Sequence, residues 1–259
     1  MTATELLILG GTGEASALAR AALARFGDAL SVTTSLAGRT ERPGPLPGRV
    51  RIGGFGGASG LAAYLVEHAV DRLIDATHPF AARISAAARL ACEEAGVPRL
   101  LLLRPPWRRQ PLDRWIEVDD MAAAAETVAR FARRAFLTVG AGEVGCFAPA
   151  TGLRFLVRLL DPPRRVLPLR FYEVVVGRGP FTLAEERHLF ERHAIDALVC
   201  KASGGAATEA KIAAARELSI PVVMVRRPAA EPGDAVETVE AALDWLTGAH
   251  PLQRAGRTS

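Results

Sequence analysis

The sequence predicts an α/β protein of two lobes, each a parallel sheet flanked by helices, with a cleft between them. Three observations predict this. Short, continuous apolar runs alternate with longer amphipathic segments along most of the chain, as expected of strands buried on both faces. A proline-rich break interrupts that alternation before the midpoint. The chain has 259 residues, more than one average domain of roughly 150.

Thr4 to Leu9 reads as a buried strand, followed by a glycine turn and a helix from Glu14 to Phe26. Leu30 to Thr34 and Val50 to Ile52 read as strands, Ser59 to Ala69 as a helix and Arg72 to Asp75 as the next strand. A helix from Pro79 to Ala95 and the strand Arg99 to Leu103 complete the first lobe. Arg104-Pro105-Pro106-Trp107-Arg108-Arg109-Gln110-Pro111 denies both helix and interior strand, so residues 104–120 read as a linker. The alternation resumes with a helix over Met121 to Arg133, a strand over Ala135 to Val139, an apolar stretch over Leu153 to Leu160 and a strand over Phe171 to Val176. Helix Leu183 to His193, strand Ala197 to Cys200, helix Thr208 to Leu218, strand Val222 to Val225 and helix Val236 to Leu246 close the pattern. The expected division is 1–108 and 109–259, with the last dozen residues a frayed tail.

Composition narrows the function classes. Hydrophobic residues at 49% and charged residues at 23% are globular values rather than those of a disordered chain. The longest apolar runs are strand-sized, as in Leu100 to Leu103, so no membrane span is expected. A strand begins within a few residues of Met1 with no basic region ahead of it, which argues against a secretory signal. Cys92, Cys146 and Cys200 lie far apart and encode neither a disulfide framework nor a zinc knuckle. A cytoplasmic setting is expected. A net charge of +4 is mild, and no basic run carries interleaved aromatics, so no nucleic-acid partner is expected. Of 32 basic residues only Lys201 and Lys211 are lysines, which directs attention to both.

Four segments carry candidate chemistry. The first strand runs into Gly10-Gly11-Thr12-Gly13-Glu14-Ala15-Ser16, a Rossmann-like strand–glycine turn–helix that brings a pyrophosphate against backbone N–H groups. The second strand ends in Thr33-Thr34-Ser35, followed by Leu36-Ala37-Gly38-Arg39. An NAD site usually places a carboxylate there, whereas hydroxyls and an arginine suit the 2′-phosphate of NADP. A polar surface turn is the alternative reading.

The third segment, Asp75-Ala76-Thr77-His78-Pro79-Phe80-Ala81, follows a buried strand. Pro79 suits the first helical position, which puts Thr77 and His78 at the carboxyl edge where such sheets bind ligands; a helix cap is the alternative. The fourth, Lys201 to Lys211, holds both lysines, Ser203, Gly204, Gly205 and Thr208 between a strand and a helix. It reads as a second anion cradle, or as a strand end followed by a solvated helix charge. It lacks the Gly-Lys-Ser/Thr order of a Walker loop. Tyr64 and Tyr172 are followed four residues later by His68 and Val176, which disfavours the Tyr-x-x-x-Lys chemistry of short-chain dehydrogenases.

Together these segments, with Gly179-Pro180-Phe181 and Arg226-Arg227-Pro228, resemble the precorrin-6A reductase family of cobalamin biosynthesis over almost the whole chain. Ala202 stands where that family carries an acidic or amide residue. The resemblance implies NADPH-dependent reduction of one double bond in a contracted tetrapyrrole, by hydride transfer to an electron-poor carbon and protonation of its neighbour. On that basis Gly10, Gly11, Thr12, Gly13, Glu14, Thr34, Ser35, Arg39, Thr77 and Pro79 are expected to hold NADPH, with His78 as the catalytic candidate. Lys201, Ser203, Gly204, Gly205, Thr208 and Lys211 are expected to meet the carboxylates of the macrocycle, bound between the lobes. Transient contact with neighbouring pathway enzymes is also implied. Two other readings stay open: an NADP-dependent reductase of another unsaturated acidic metabolite, and a non-catalytic dinucleotide-sensing module.

Arg39→Ala is expected to cost NADPH binding about 1.5–3 kcal/mol, the worth of a charge-assisted hydrogen bond, and to spare NADH. Titration with both cofactors checks this, and equal losses would remove Arg39 from 2′-phosphate recognition.

Overall fold

Apolar runs form the centres of two parallel sheets. A computed structural model describes residues 3–38 and 45–248 and the backbone of 253–255. The chain divides into one unit of residues 1–105 with 228–259 and another of residues 106–227.

In the first unit, β1 (Thr4–Leu9), α1 (Gly13–Phe26), β2 (Leu30–Leu36), β3 (Arg49–Ile52), α2 (Ala58–Glu67), β4 (Arg72–Asp75), α3 (Ala82–Ala95) and β5 (Arg99–Leu102) follow one another. The second unit contains β6 (Trp115–Val118), α4 (Met121–Ala129), β7 (Arg134–Leu137), β8 (Arg154–Leu159), β9 (Tyr172–Val176), α5 (Leu183–Arg192), β10 (Ala197–Lys201), α6 (Ala210–Glu217) and β11 (Val222–Val225). The chain then returns to the first unit as β12 (Gly233–Val236), α7 (Val239–Leu246) and β13 (Gln253–Ala255). The strand orders are β13-β12-β5-β4-β1-β2-β3 and β6-β11-β10-β7-β8-β9. Every pairing is parallel except that of β12 with β13.

The run Leu6-Leu7-Ile8-Leu9 shows why the strands are apolar without alternation. Leu6 and Ile8 join Leu18, Ala22, Leu243 and Trp245 on the face of α1 and α7. Leu7 and Leu9 join Leu61, Leu65 and Cys92 on the face of α2 and α3. Both faces are covered, so successive side chains are buried alternately on opposite sides, each leucine contributing about 1.5–3 kcal/mol of apolar burial. The second sheet has its own core around Phe136, Phe190, Leu198, Cys200, Ile212 and Met224.

The structure corrects the expected organisation in four places. Residues 228–247 do not belong with 109–227, because β12 pairs with β5 and α7 packs against α1; the second unit is an insertion. The 104–120 linker contains β6, an edge strand pairing on one side with β11, so it carries no long apolar run. The helix expected from Pro79 begins at Ala82: Phe80 N–H donates to His78 Nδ1 and Ala81 N–H to the His78 carbonyl, which closes a turn first. Within the tail, 253–255 form a strand; the rest of the tail from 249 lies outside the described residues.

One buried ion pair anchors the inserted unit. Arg158 donates to both carboxylate oxygens of Glu186, at 2.6 and 2.9 Å. The guanidinium also lies 4.0 Å from the Phe181 ring centroid, and the Glu186 side chain is only 3% exposed. Arg158→Ala strands that carboxylate and is expected to cost about 3–5 kcal/mol. Arg187→Ala, in pairs whose side chains are about half exposed, should cost about 0–1 kcal/mol. Urea denaturation of the two variants measures the contrast.

Candidate active site

The turn after β1 stands where the strand order of the first sheet reverses. From β1 the chain passes through α1 to β2 on one side, while β4 flanks β1 on the other; ligands bind in the crevice such a reversal opens. Leu9 lies level with both Ser35 and Asp75, so the loops after β1, β2 and β4 start at one edge. A Cβ on Gly10 would come within 2.9 Å of the Thr34 methyl, so only glycine fits over that buried threonine. Gly11 has φ +106°, a conformation that favours glycine. Nothing lies within 4 Å of where a Cβ of Gly11 or Gly13 would stand, which leaves open space over the start of α1. Thr12 is the N-cap: its Oγ1 accepts from Ala15 N–H at 3.1 Å and donates to the Ala76 carbonyl at 2.7 Å. The cap thereby ties the glycine turn to the loop after β4. The uncapped N–H groups of α1 and the space above them fit a diphosphate.

Glu14, in the first turn of α1, faces Arg104, whose Nη1 lies 3.4 Å from each carboxylate oxygen. The Arg104 side chain is only 10% exposed. With Thr12, Ala76 and Thr77 it lines a small cavity beside the glycine turn. Sequence reasoning missed Arg104 because it opens the proline-rich segment read as linker; the available signal was its place directly after a buried strand, on the ligand edge.

At the end of β2 the expected residues separate. Thr34 is fully buried and its Oγ1 has no hydrogen-bond partner, so it supports the turn from beneath. Ser35 is 6% exposed and pairs in register with Arg51 of β3, whose guanidinium donates to the Gly53 and Gly54 carbonyls and lies 3.8 Å from the Phe55 ring centroid. Arg39 lies outside the described residues.

Thr77 and His78 stand at the carboxyl edge of β4. Asp75 Oδ1 accepts from both Thr77 N–H, at 3.1 Å, and Thr77 Oγ1, at 2.7 Å, which fixes the turn. His78 Nδ1 accepts from Phe80 N–H at 3.2 Å, so a neutral His78 carries its proton on Nε2. Thr77, His78 and Pro79 line an open crevice with Asp75, Ser85 and Glu231. Asp75, Ser85 and Glu231 were absent from the expected set; Glu231 arrives from the returning segment after the insertion, a placement no local pattern announces.

The second anion cradle occupies the matching reversal of the other sheet, where β10 lies between β7 and β11. Lys201 ends β10 and its Nζ lies 2.6 Å from Glu143 Oε1, in the loop after β7. Gly204 and Gly205 have φ of +67° and +79°, and Thr208 Oγ1 donates to the Gly204 carbonyl at 3.0 Å. Trp107 Nε1 donates to the Gly205 carbonyl, and Arg227 donates to the carbonyls of Ala202 and Ser203. Lys211, second residue of α6, holds its Nζ 5.6 Å from the Trp107 ring centroid. Ser203 is 8% exposed. Lys201, Ser203, Gly204, Gly205, Thr208 and Lys211 are thus gathered around one turn.

Burial pushes the Cys200 thiol up to about 11 and the Cys92 thiol up to about 12, so neither supplies a thiolate near neutral pH. Among the described residues no three His, Cys, Asp or Glu side chains converge as metal ligands, and no helix is long and apolar enough to cross a membrane.

Residues 5–247 match the family described as Precorrin-6x reductase CbiJ/CobK. The chain is 47% identical to a Precorrin-6A reductase from Rhodococcus erythropolis, over 94% of this chain and 97% of that one. It is 44% identical to a Precorrin-6A reductase from Rhodobacter capsulatus, over 96% and 98%. A Cobalt-precorrin-6A reductase from Priestia megaterium is 28% identical, over 91% and 95%. A solved structure titled CobK precorrin-6A reductase superposes with a TM-score of 0.90 at 44% identity, covering 96% of this chain and 98% of that one. A match this long, on a chain with these two glycine-lined sheet edges, means that the chain belongs to the precorrin-6x reductase family.

Proposed function

We propose that the chain reduces one double bond of precorrin-6A, with NADPH as the hydride donor, in cobalamin biosynthesis. The observation that carries the cofactor half is the open glycine turn at the strand reversal, capped by Thr12 and bridged to Ala76. Family membership carries the substrate half, and the higher identity to relatives named for precorrin-6A supports that substrate over its cobalt form. A nicotinamide bound in the first unit supplies the hydride. The N–H groups of Gly13 and Glu14 hold the diphosphate, with Ser35 and Arg39 at the 2′-phosphate and Thr77 and Pro79 against the nicotinamide half. The absence of a carboxylate at the end of β2 favours NADPH over NADH. The second unit contributes to the substrate site through Lys201, Ser203, Thr208 and Lys211, whose cationic and N–H groups match a polycarboxylate. A cytoplasmic setting and transient hand-over from neighbouring pathway enzymes complete the reading. Loss of NADPH absorbance on addition of precorrin-6A tests the activity; a dinucleotide sensor would bind NADPH without consuming it.

Two variants assign roles. Lys201→Ala is expected to raise the KM for precorrin-6A about tenfold, the worth of one charge-assisted contact, while NADPH affinity stays within twofold. Loss of NADPH affinity instead would move the cofactor to the second unit. If His78, once protonated, delivers the proton from Nε2, His78→Ala lowers turnover by about 100-fold or more. Wild-type turnover at every pH would leave His78 a binding residue only.

A further inference from the structure

The carboxylate of Asp75 is half satisfied. Asp75 ends β4 and is 2% exposed. Its Oδ1 takes both hydrogen bonds from Thr77, while its buried Oδ2 has no partner. Folded proteins rarely leave a buried carboxylate oxygen without a donor. Glu231 is itself an acceptor, already bonded to Arg89 Nε at 2.9 Å. Ser85 Oγ lies 3.4 Å from Thr77 Oγ1. Arg99, on the same face at the start of β5, donates to the Pro232 carbonyl through Nη2, while its buried Nη1 has no hydrogen-bond partner.

Asp75 lines the open crevice, whose other walls include Leu101, Leu103 and Ala230. An acceptor carboxylate oxygen set among apolar walls suits a flat apolar group bearing an N–H donor, and the Asp75 charge disfavours the carboxylates of an acidic substrate. Position points the same way. This crevice shares Thr77 and Pro79 with the cavity beside the glycine turn and extends from it toward β5. The end of β2, where the 2′-phosphate is expected, lies on the opposite side of β1. A dinucleotide whose diphosphate crosses the glycine turn therefore sends its other half toward Asp75.

We infer that Asp75 Oδ2 accepts the carboxamide N–H of the nicotinamide, which makes Asp75 a specificity-determining residue for that end of the cofactor. This rests on the reading that the first unit holds the dinucleotide. Asp75 reads the one donor that distinguishes a carboxamide from a ketone, and Thr77, held by the other oxygen, keeps the carboxylate in one rotamer.

Calorimetric titration with NADP⁺ and with its 3-acetylpyridine analogue, in which a methyl group replaces the amide NH₂, tests the inference without turnover. The wild-type chain is expected to bind the analogue about tenfold more weakly, as for one charge-assisted hydrogen bond. Asp75→Asn puts an NH₂ where Oδ2 stood and is expected to bring the two affinities within twofold. A merely structural Asp75 would shift both affinities together and leave their ratio unchanged, which overturns the inference. Equal binding of the two ligands by the wild-type chain overturns it without any variant. No binding of NADP⁺ at all removes the dinucleotide reading and this inference with it, whereas tight, equal binding removes this inference alone.

Discussion

The hydrogen bond from Thr12 Oγ1 to the Ala76 carbonyl joins two loops that leave neighbouring parallel strands toward opposite faces of the sheet. The hydroxyl also caps α1 through Ala15 N–H. A single side chain therefore satisfies a helix end and a loop carbonyl at once, and the geometry of the crevice depends on both. Gly10 lets the turn sit on Thr34, and the register that sets Leu9 level with Ser35 and Asp75 aligns the three contributing loops. Without that link the turn would remain glycine-rich but would not be held at a fixed distance from Thr77 and His78.

Charge around this crevice is arranged by partnership. Glu14 would on its own oppose an anion at the start of α1, where the helix dipole favours one. Arg104 faces it at 3.4 Å from both oxygens, long for an ion pair whose guanidinium is nearly buried. The pair leaves local charge near neutral and keeps a guanidinium beside the place where phosphate would arrive. Further along the same edge the walls become more apolar, with Leu101 and Leu103 beside Asp75, while Glu231 is paired with Arg89. The crevice thus runs from an anion-tolerant end to a more apolar one that holds the Asp75 carboxylate, and a dinucleotide has that polarity from its diphosphate to its nicotinamide.

Much of this was legible in the sequence because it is encoded locally. The apolar run Leu6 to Leu9, the glycine turn and the Thr-His-Pro block each specify their own structure, and all three fall at the sheet edge where they were expected. The return of 228–247 to the first sheet was not legible, since β12 reads Gly-Asp-Ala-Val and contributes one large apolar side chain. Its identity as a strand comes from pairing with β5, more than 130 residues away in sequence, and not from any pattern of its own. Arg104 and Glu231 were missed for the same reason: each is ordinary in its own segment and matters only through what the fold sets beside it. The start of α3 was misread because Pro79 signals a first helical position locally, while His78 closes a turn ahead of it.

The two units repeat one device with different chemistry, and the difference bears on which of them holds which ligand. At each strand reversal a side chain ties together the loops of two neighbouring strands. In the first unit the tie is Thr12 to a backbone carbonyl, a neutral bond that leaves the helix N–H groups and the space above the glycines open. In the second it is Lys201 to Glu143, an ion pair between β10 and the loop after β7. The carbonyls of its glycine turn are already engaged by Trp107, Arg227 and Thr208. A neutral tie persists when a diphosphate enters, because the ligand competes for none of its partners. A charged tie is different: a carboxylate reaching Lys201 competes directly with Glu143, so binding there depends on the charge of the ligand rather than on its shape against a backbone cradle. The first arrangement suits a cofactor recognised through main-chain N–H groups, and the second a substrate recognised through its acidic periphery.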